Sequence, residues 1–198
     1  MTIPKITPSR TALFLLDYQI MHAQKDPKYT TAMSNAASLI KFARSKGITI
    51  AHCRVSFTET ELDAIPSTNP MFYAAKSNPA YGPHFLVDAP ASQFHPDVAP
   101  HEGDIVVRKN RVGPFINAPQ DTDKIFKERG IDTLILGGVA TGGAVAATVV
   151  QASDLDYRLV VVEDLCADGD EETHGFLMKF FSKRGAVVSS GDVEGLIE

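Results

Sequence analysis

Two ionisable side chains stand directly after apolar segments, in positions where they could move protons and stabilise charge. Asp17 follows the segment 12–16, and Lys109 follows the segment 104–108. A carboxylate acts as a general acid or base when its surroundings adjust its proton affinity, and an ammonium stabilises negative charge developing on a substrate oxygen. We therefore predict that Asp17 and Lys109 are catalytic. The alternative is that the carboxylate only caps the next turn and the lysine is solvated.

A glycine-containing turn could bind a negatively charged oxygen. Residues 139–144 read Val-Ala-Thr-Gly-Gly-Ala, and they precede a segment with helical periodicity. Glycine lets backbone N–H groups approach a ligand, and the N-terminus of a helix attracts anions. An ordinary turn between a strand and a helix uses glycine for the same steric reasons, so both interpretations stay open. Under the binding interpretation, the substrate-contacting residues are Val139, Ala140, Thr141, Gly142 and Gly143.

Four further residues are candidates for a substrate pocket. Phe57 and Phe115 offer apolar walls, and Arg54 and Asn69 offer polar contacts. Ligand sites combine such walls with a few polar groups. The phenylalanines could equally pack beneath a long loop.

The cysteines and histidines argue against thiol and metal chemistry. Cys53 is predicted inside a strand and Cys166 lies near carboxylates, so burial or negative charge disfavours a thiolate at both positions. We expect reduced thiols rather than a disulfide. His52 is expected to be a core residue, and the loop histidines in 84–101 have no metal-ligand spacing. We predict no metal site and no organic cofactor.

Strands and helices must position these residues, and the sequence alternates between the two. Apolar segments bounded by turn residues predict six strands, and helical periodicity lies between them. Parallel strands joined by crossover helices place a ligand crevice at their carboxyl ends, where Asp17, Lys109 and the turn 139–144 fall. The predicted strands are 12–16, 48–55, 104–108, 133–138, 158–163 and 186–189, and the predicted helices are 31–46, 121–129, 143–155 and 171–183.

Length and composition indicate one α/β domain spanning residues 1–198. A chain of 198 residues with 44% hydrophobic residues is large enough for one hydrophobic core. Residues 56–103 contain seven prolines and little periodicity, so we predict a long loop excursion there. The net charge of −5 and the scattered basic residues disfavour nucleic-acid and membrane partners. The segment 1–5 lacks the pattern of a signal peptide, so we expect a cytoplasmic protein.

Three segments, taken together, resemble the isochorismatase-like hydrolase superfamily over nearly the whole chain. They are 12–19, an apolar strand ending in Asp-Tyr-Gln; 104–115, a strand with a lysine, a turn and a phenylalanine; and 136–145, Leu-Gly-Gly-Val-Ala-Thr-Gly-Gly-Ala-Val. The resemblance implies a Rossmann-like, three-layer α/β/α fold with a six-stranded parallel sheet of order 3-2-1-4-5-6. It also implies a homodimer or homotetramer and a cis peptide bond between Val139 and Ala140.

The sequence departs from most of these relatives at one position. Three residues after Thr141, where most relatives carry a nucleophilic cysteine at the start of a helix, this chain has Ala144. A cysteine there would gain from the helix N-terminus and a nearby lysine, which lower the pKa of a thiol. The chain therefore resembles a branch that lacks this cysteine, and siderophore-pathway isochorismatases, which also lack it, use acid–base chemistry alone.

The sequence thus predicts a hydrolase of a small polar or carboxylated metabolite, acting through Asp17 and Lys109 without a cysteine nucleophile. Two alternatives remain at this point. The chain could be a catalytically impaired member of the fold that binds a small molecule, or an engineered Cys-to-Ala form of a C–N amidohydrolase.

Overall fold

A parallel sheet forms the centre of the fold. Its strands are β1 (Thr11–Leu16), β2 (Thr49–Val55), β3 (Ile105–Lys109), β4 (Thr133–Val139), β5 (Arg158–Ala167) and β6 (Ala186–Val188). The computed structural model describes residues 5–198, so the first four residues of the segment used for the signal-peptide prediction lie outside it. The strand order is β3-β2-β1-β4-β5-β6, and all pairs are parallel. The predicted order is confirmed, and the winding reverses between β1 and β4.

Helices cover both faces of the sheet. They are α1 (Ile20–Ala23), α2 (Pro27–Ser45), α3 (Glu59–Asp63), α4 (Pro70–Ser77), α5 (Thr122–Glu128), α6 (Ala146–Asp154) and α7 (Glu171–Phe181). A π-helical segment, Thr141–Val145, leads from β4 into α6. Across residues 5–198, no helix is both long and apolar enough to cross a membrane.

The alternation of side chains along β1 divides the core into two layers. Leu13 and Leu15 belong to the apolar cluster that includes Met33 of α2. Phe14 belongs to the opposite cluster, which includes Phe126 of α5. Every residue of β1 is buried because helices cover both of its faces, as expected for a central parallel strand. The predicted three-layer α/β/α architecture is confirmed.

Two elements extend beyond their predicted bounds. α2 begins at Pro27, before the predicted start at 31, because the side chain of Asp26 accepts a hydrogen bond from the N–H of Lys28 and proline suits the first turn of a helix. β5 continues to Ala167 although 163–164, Glu-Asp, interrupts its apolar pattern. It pairs with β4 again after a register shift, which places Cys166 inside the strand.

The excursion at 56–103 contains more local structure than its sequence predicts. It includes α3 and α4 as well as several 3₁₀ turns. α3 begins with a capping box, in which Thr58 and Glu61 exchange hydrogen bonds between side chain and backbone. α4 begins at Pro70, and Asn69 caps it by accepting from the N–H of Phe72. α4 contributes Met71, Phe72 and Ala75 to the wall of a cavity beside the sheet.

Glycine in β4 allows the central strands to pack closely near their carboxyl ends. A Cβ atom at Gly138 would lie 2.5 Å from the Cβ of Leu16 and 2.6 Å from its backbone oxygen. Contacts that short do not occur between folded residues, so a side chain here would force β4 away from β1. The glycine therefore keeps the end of β1 close to the turn that follows β4.

Candidate active site

Lys109 reaches Asp17 at the carboxyl edge of the sheet. Lys109 is the last residue of β3, and Asp17 directly follows β1. Because β2 lies between those two strands, the gap is two strand spacings, about 10 Å. The long lysine side chain closes it: Nζ donates to Oδ2 of Asp17 at 2.7 Å and to the backbone oxygen of Val112 at 2.6 Å. The sheet thus brings together the acid and the ammonium that the sequence singled out.

Backbone contacts fix the orientation of Asp17. Its φ of 57° lies in the left-handed region, which aspartate tolerates better than most residues. Its N–H donates to the backbone oxygen of Cys53 at 2.9 Å. Two residues later, the side chain of Gln19 donates to the backbone oxygens of Val55 and Ser92 and accepts from the N–H of Val55. The Asp-Tyr-Gln segment therefore ties β1 to β2 and to the excursion.

A cavity of about 250 Å³ opens beside the pair. Asp17 is 4% exposed and Lys109 is 1% exposed, so both side chains are shielded from bulk water, and both residues line the cavity. The second carboxylate oxygen, Oδ1 of Asp17, is buried and has no hydrogen-bond partner among residues 5–198. A buried charged acceptor without a donor is costly, by more than about 1–3 kcal/mol. A water or substrate hydrogen would satisfy it.

The turn after β4 forms the opposite wall of this cavity. Val139, Ala140, Gly143 and Ala144 line it together with Asp17 and Lys109. The peptide bond between Val139 and Ala140 is cis, which confirms the expectation drawn from the resemblance. Ala144, for which the resemblance implies a cysteine in most relatives, is 3% exposed.

Two of the predicted backbone donors in this turn already have partners within the protein. The N–H of Gly142 donates to Oδ2 of Asp168 at 2.6 Å, and the N–H of Gly143 donates to the oxygen of Ala140 at 3.1 Å. Thr141 is fully buried, and its hydroxyl lies 2.9 Å from Nδ1 of His174. By contrast, the N–H of Ala140 bonds to none of the residues 5–198, which leaves it free for a ligand.

The structure separates the four other candidate binding residues from this cavity. Phe57 is fully buried beneath Phe72 and Phe85, which do line the cavity. Arg54 donates to the backbone oxygens of Val87 and Ser92, which belong to the excursion. Asn69 caps α4.

Phe115 lies in a different place altogether. It packs against Phe14 and Phe126 and lines an outer groove beside α6. The turn that follows β3 carries it to the face of the sheet that α5 and α6 cover. Its position is therefore outside the cavity beside Asp17 and Lys109, and its predicted substrate contact stays a prediction.

Two residues that line the cavity are missing from the predicted site, because the apolar pattern of the strands does not indicate them. His22 lies on α1, and its Nδ1 is 2.7 Å from the backbone oxygen of Asp17. Lys25 is exposed, and its ammonium lies 5.2 Å from the centre of the Tyr81 ring. Both residues follow the end of β1 in a short, irregular segment, where no apolar periodicity indicates which side chains face the cavity.

Neither native thiol is suited to nucleophilic attack. Burial raises the pKa of Cys53 well above its usual value. Burial, together with the negative charges of Asp164 and Glu163, raises the pKa of Cys166 to about 12. Cys166 also lines a separate cavity of about 450 Å³ beside α2, away from Lys109. Reactive cysteines need the opposite environment.

His52 is a core residue held by a hydrogen bond to a carboxylate. Its Nε2 lies 3.2 Å from Oδ2 of Asp104, which also pairs with Arg44 at 2.6 Å. Burial lowers the pKa of His52, so the neutral ring donates to the carboxylate. Among the residues that the structure describes, no three His, Cys, Asp or Glu side chains are grouped so as to hold a metal ion.

Comparison with known proteins gives the same family at the level of sequence and fold. A family model described as "Isochorismatase domain" matches residues 11–193. A Bacillus subtilis protein described as an uncharacterized isochorismatase family protein is 27% identical over 88% of this chain and 87% of its own length. Maleamate amidohydrolase of Pseudomonas putida is 25% identical over 84% of this chain and 74% of its own length. The structure of an isochorismatase family protein from Burkholderia thailandensis superposes with a TM-score of 0.80, at 24% identity and 99% coverage of both chains.

Proposed function

This chain belongs to the isochorismatase domain family, and from that premise we propose that it is a hydrolase of a small carboxylated metabolite that uses water instead of a cysteine as nucleophile. The observation that carries the proposal is the buried Asp17–Lys109 ion pair, which lines a cavity together with Ala144. Oδ1 of Asp17 has no hydrogen-bond partner among residues 5–198, and it is the acceptor that we propose for a water or a substrate hydrogen.

The absence of a suitable thiol favours direct attack by water. Ala144 has no nucleophilic atom, and both cysteines are buried with raised pKa values. None of the residues that line this cavity can therefore form an acyl-enzyme through sulfur. A water molecule needs an acceptor for its proton and a cation near the developing charge. In this proposal Asp17 accepts a hydrogen bond from that water, and Lys109 is the nearby cation.

The charges around the cavity support a carboxylated substrate. Lys109 is neutralised by Asp17, whereas Lys25 at the mouth has no carboxylate within ion-pair distance among residues 5–198. A substrate carboxylate would meet Lys25, while the scissile bond reached the inner end beside Asp17. The free N–H of Ala140 is then a donor for the oxygen on which negative charge develops.

The chemistry of one relative is consistent with this substrate class. Maleamate amidohydrolase acts, by its name, on an amide that also carries a carboxylate. A cavity of about 250 Å³ suits a ligand of that size and is below the range typical of drug-sized sites. We therefore place amides of small carboxylic acids first among the substrates to be tested.

Turnover measurements test the proposal. The purified protein is incubated with maleamate, succinamate and uncharged butyramide, and released ammonia is measured with the wild type and with Asp17→Asn. Hydrolysis of at least one carboxylated amide, lost in Asp17→Asn, is the expected result. Stabilisation by these compounds without any product would instead support a binding protein. Full activity in Asp17→Asn would remove Asp17 from the mechanism.

A further inference from the structure

We propose that His22 is a second catalytic residue, and that its Nε2 takes the proton of the attacking water. The inference rests on the proposed function and deepens it, because it assigns the proton transfers within the same cavity. His22 lines that cavity together with Asp17, Lys109 and Ala144.

The hydrogen bond at Nδ1 determines which nitrogen of His22 is free. Nδ1 lies 2.7 Å from the backbone oxygen of Asp17. A carbonyl oxygen only accepts hydrogen bonds, so Nδ1 carries the hydrogen and donates it. In the neutral ring, Nε2 is then an unprotonated acceptor. Nε2 makes no hydrogen bond with any of the residues 5–198, so its lone pair is available to a ligand or a water.

The surroundings favour the neutral form of the ring. Burial lowers the pKa of His22, the charge of Asp17 raises it, and the ammonium groups of Lys25 and Lys109 lower it. The net direction is downward, so the ring is neutral near pH 7. A neutral imidazole can accept a proton at its unprotonated nitrogen.

The same contact places the base beside the acid. His22 sits on α1, five residues after Asp17, and donates to the backbone oxygen of that residue. The two side chains are therefore held by one short segment, which Gln19 anchors to β2. Movement of the carboxylate relative to the ring is restricted, as catalysis requires.

Hydrolysis needs two proton transfers, and the cavity provides a group for each. One O–H bond of water breaks as its oxygen bonds to the acyl carbon, and that proton goes to Nε2 of His22. Oδ1 of Asp17 accepts a hydrogen bond from the other O–H. The bond from the acyl carbon to nitrogen then breaks, and the nitrogen takes the proton from the imidazolium. The products are a carboxylic acid and an amine or ammonia, and His22 is neutral again.

A matched pair of variants separates this role from a structural one. His22→Asn keeps a side-chain N–H at the position of Nδ1 but has nothing in place of Nε2, whereas His22→Gln offers an amide near Nε2. On the carboxylated amide that the wild type hydrolyses, we expect both variants to lose about 100-fold in kcat with little change in KM. Imidazole added to His22→Gly should restore part of the rate. Retention of wild-type kcat by His22→Asn would show that the hydrogen bond at Nδ1 is all that matters.

The tautomer can be measured without any substrate. Long-range ¹H–¹⁵N correlation on the wild type, with His22 assigned by the loss of its signals in His22→Gln, reports which ring nitrogen is protonated. We expect a protonated Nδ1, an unprotonated Nε2 and an apparent pKa below 6.5. A proton on Nε2 at neutral pH would overturn the inference even if hydrolysis and its loss in Asp17→Asn were both found. Conversely, an active Asp17→Asn would contradict the proposed function and leave this result unaffected.

Discussion

The ammonium of Lys109 donates to one carboxylate oxygen of Asp17 at 2.7 Å, while the other oxygen of Asp17 is buried and has no hydrogen-bond partner within the described residues. One oxygen therefore forms the ion pair, and the other is the acceptor on which the proposed mechanism depends. The pair sits on two strands that are not neighbours, so its geometry depends on the whole sheet.

Breaking this pair should cost stability as well as activity. Asp17→Asn keeps the side-chain shape and the tolerance of a left-handed φ but leaves the Lys109 ammonium buried without a negative partner. We expect the free energy of unfolding to fall by about 3 kcal/mol, and the double variant Asp17→Asn/Lys109→Met to recover most of that loss. Urea denaturation measures both. Asp132→Asn, which affects an exposed ion pair with Arg10, is the matched control and should change little. Equal losses in the single and double variants would argue against a buried charge as the cause.

Replacing Ala144 with cysteine should create a reactive thiol. The new side chain would face the cavity beside Lys109 and near the N-terminal end of α6, an environment that lowers the pKa of a thiol. We expect rapid alkylation by iodoacetamide at pH 7 and faster release of ammonia from maleamate, by about tenfold or more. Ala147→Cys, in the outer groove, is the control and should react like an ordinary thiol. A slow thiol at 144 with no gain in amidase activity would count against both the geometry and an amidohydrolase origin of this chain.

Removing the charge at the mouth should weaken binding of carboxylated substrates only. Lys25→Met should raise KM for a carboxylated amide by up to about fivefold, which corresponds to about 1 kcal/mol for an exposed ion pair, with kcat nearly unchanged. The KM of any uncharged amide that is turned over should not change. Lys46→Met is the matched control, since that lysine pairs with Glu194 away from the cavity. An equal effect on charged and uncharged substrates would contradict a role in charge recognition.

Stability should decline in mild acid because His52 is buried in its neutral form. Burial lowers its pKa in the folded state, while the unfolded chain has the ordinary value near 6.5. As the pH falls below about 6.5, the unfolded state binds a proton that the folded state does not, so the free energy of unfolding falls, by at most about 1.4 kcal/mol per pH unit for one histidine. Denaturation between pH 7.5 and 5 should show a shallower slope in His52→Gln, which keeps a donor toward Asp104. His22, whose pKa is also lowered, should account for part of the remaining slope. An unchanged slope would show that His52 is not the source.

The sequence was a good guide wherever a residue belongs to a regular strand. Apolar runs predict the strand ends to within a few residues. Asp17 and Lys109 can be identified as site candidates because the carboxyl ends of parallel strands lie on one edge of the sheet. The end of β5 could not be predicted, because the charged residues 163–164 interrupt the apolar pattern although β5 pairs with β4 again beyond them.

Side chains that act through irregular segments could not be predicted in the same way. His22 and Lys25 reach the cavity because α1 folds back after Gln19, and no periodic pattern encodes that turn. The sequence predicts substrate contacts for Arg54 and Asn69, and the structure shows that Arg54 donates to loop carbonyls and that Asn69 caps a helix. Their polar character was evident from the sequence, but their partners depend on tertiary contacts.

The most direct test compares two variants on the same carboxylated amide. Cys53→Ala/Cys166→Ala removes both thiols, and Asp17→Asn is then added to that background. Hydrolysis by water predicts that kcat/KM in the thiol-free protein stays within about threefold of the wild type and falls at least about 100-fold when Asp17 is changed. A folded thiol-free protein without activity, or one that stays active after Asp17→Asn, would contradict the account.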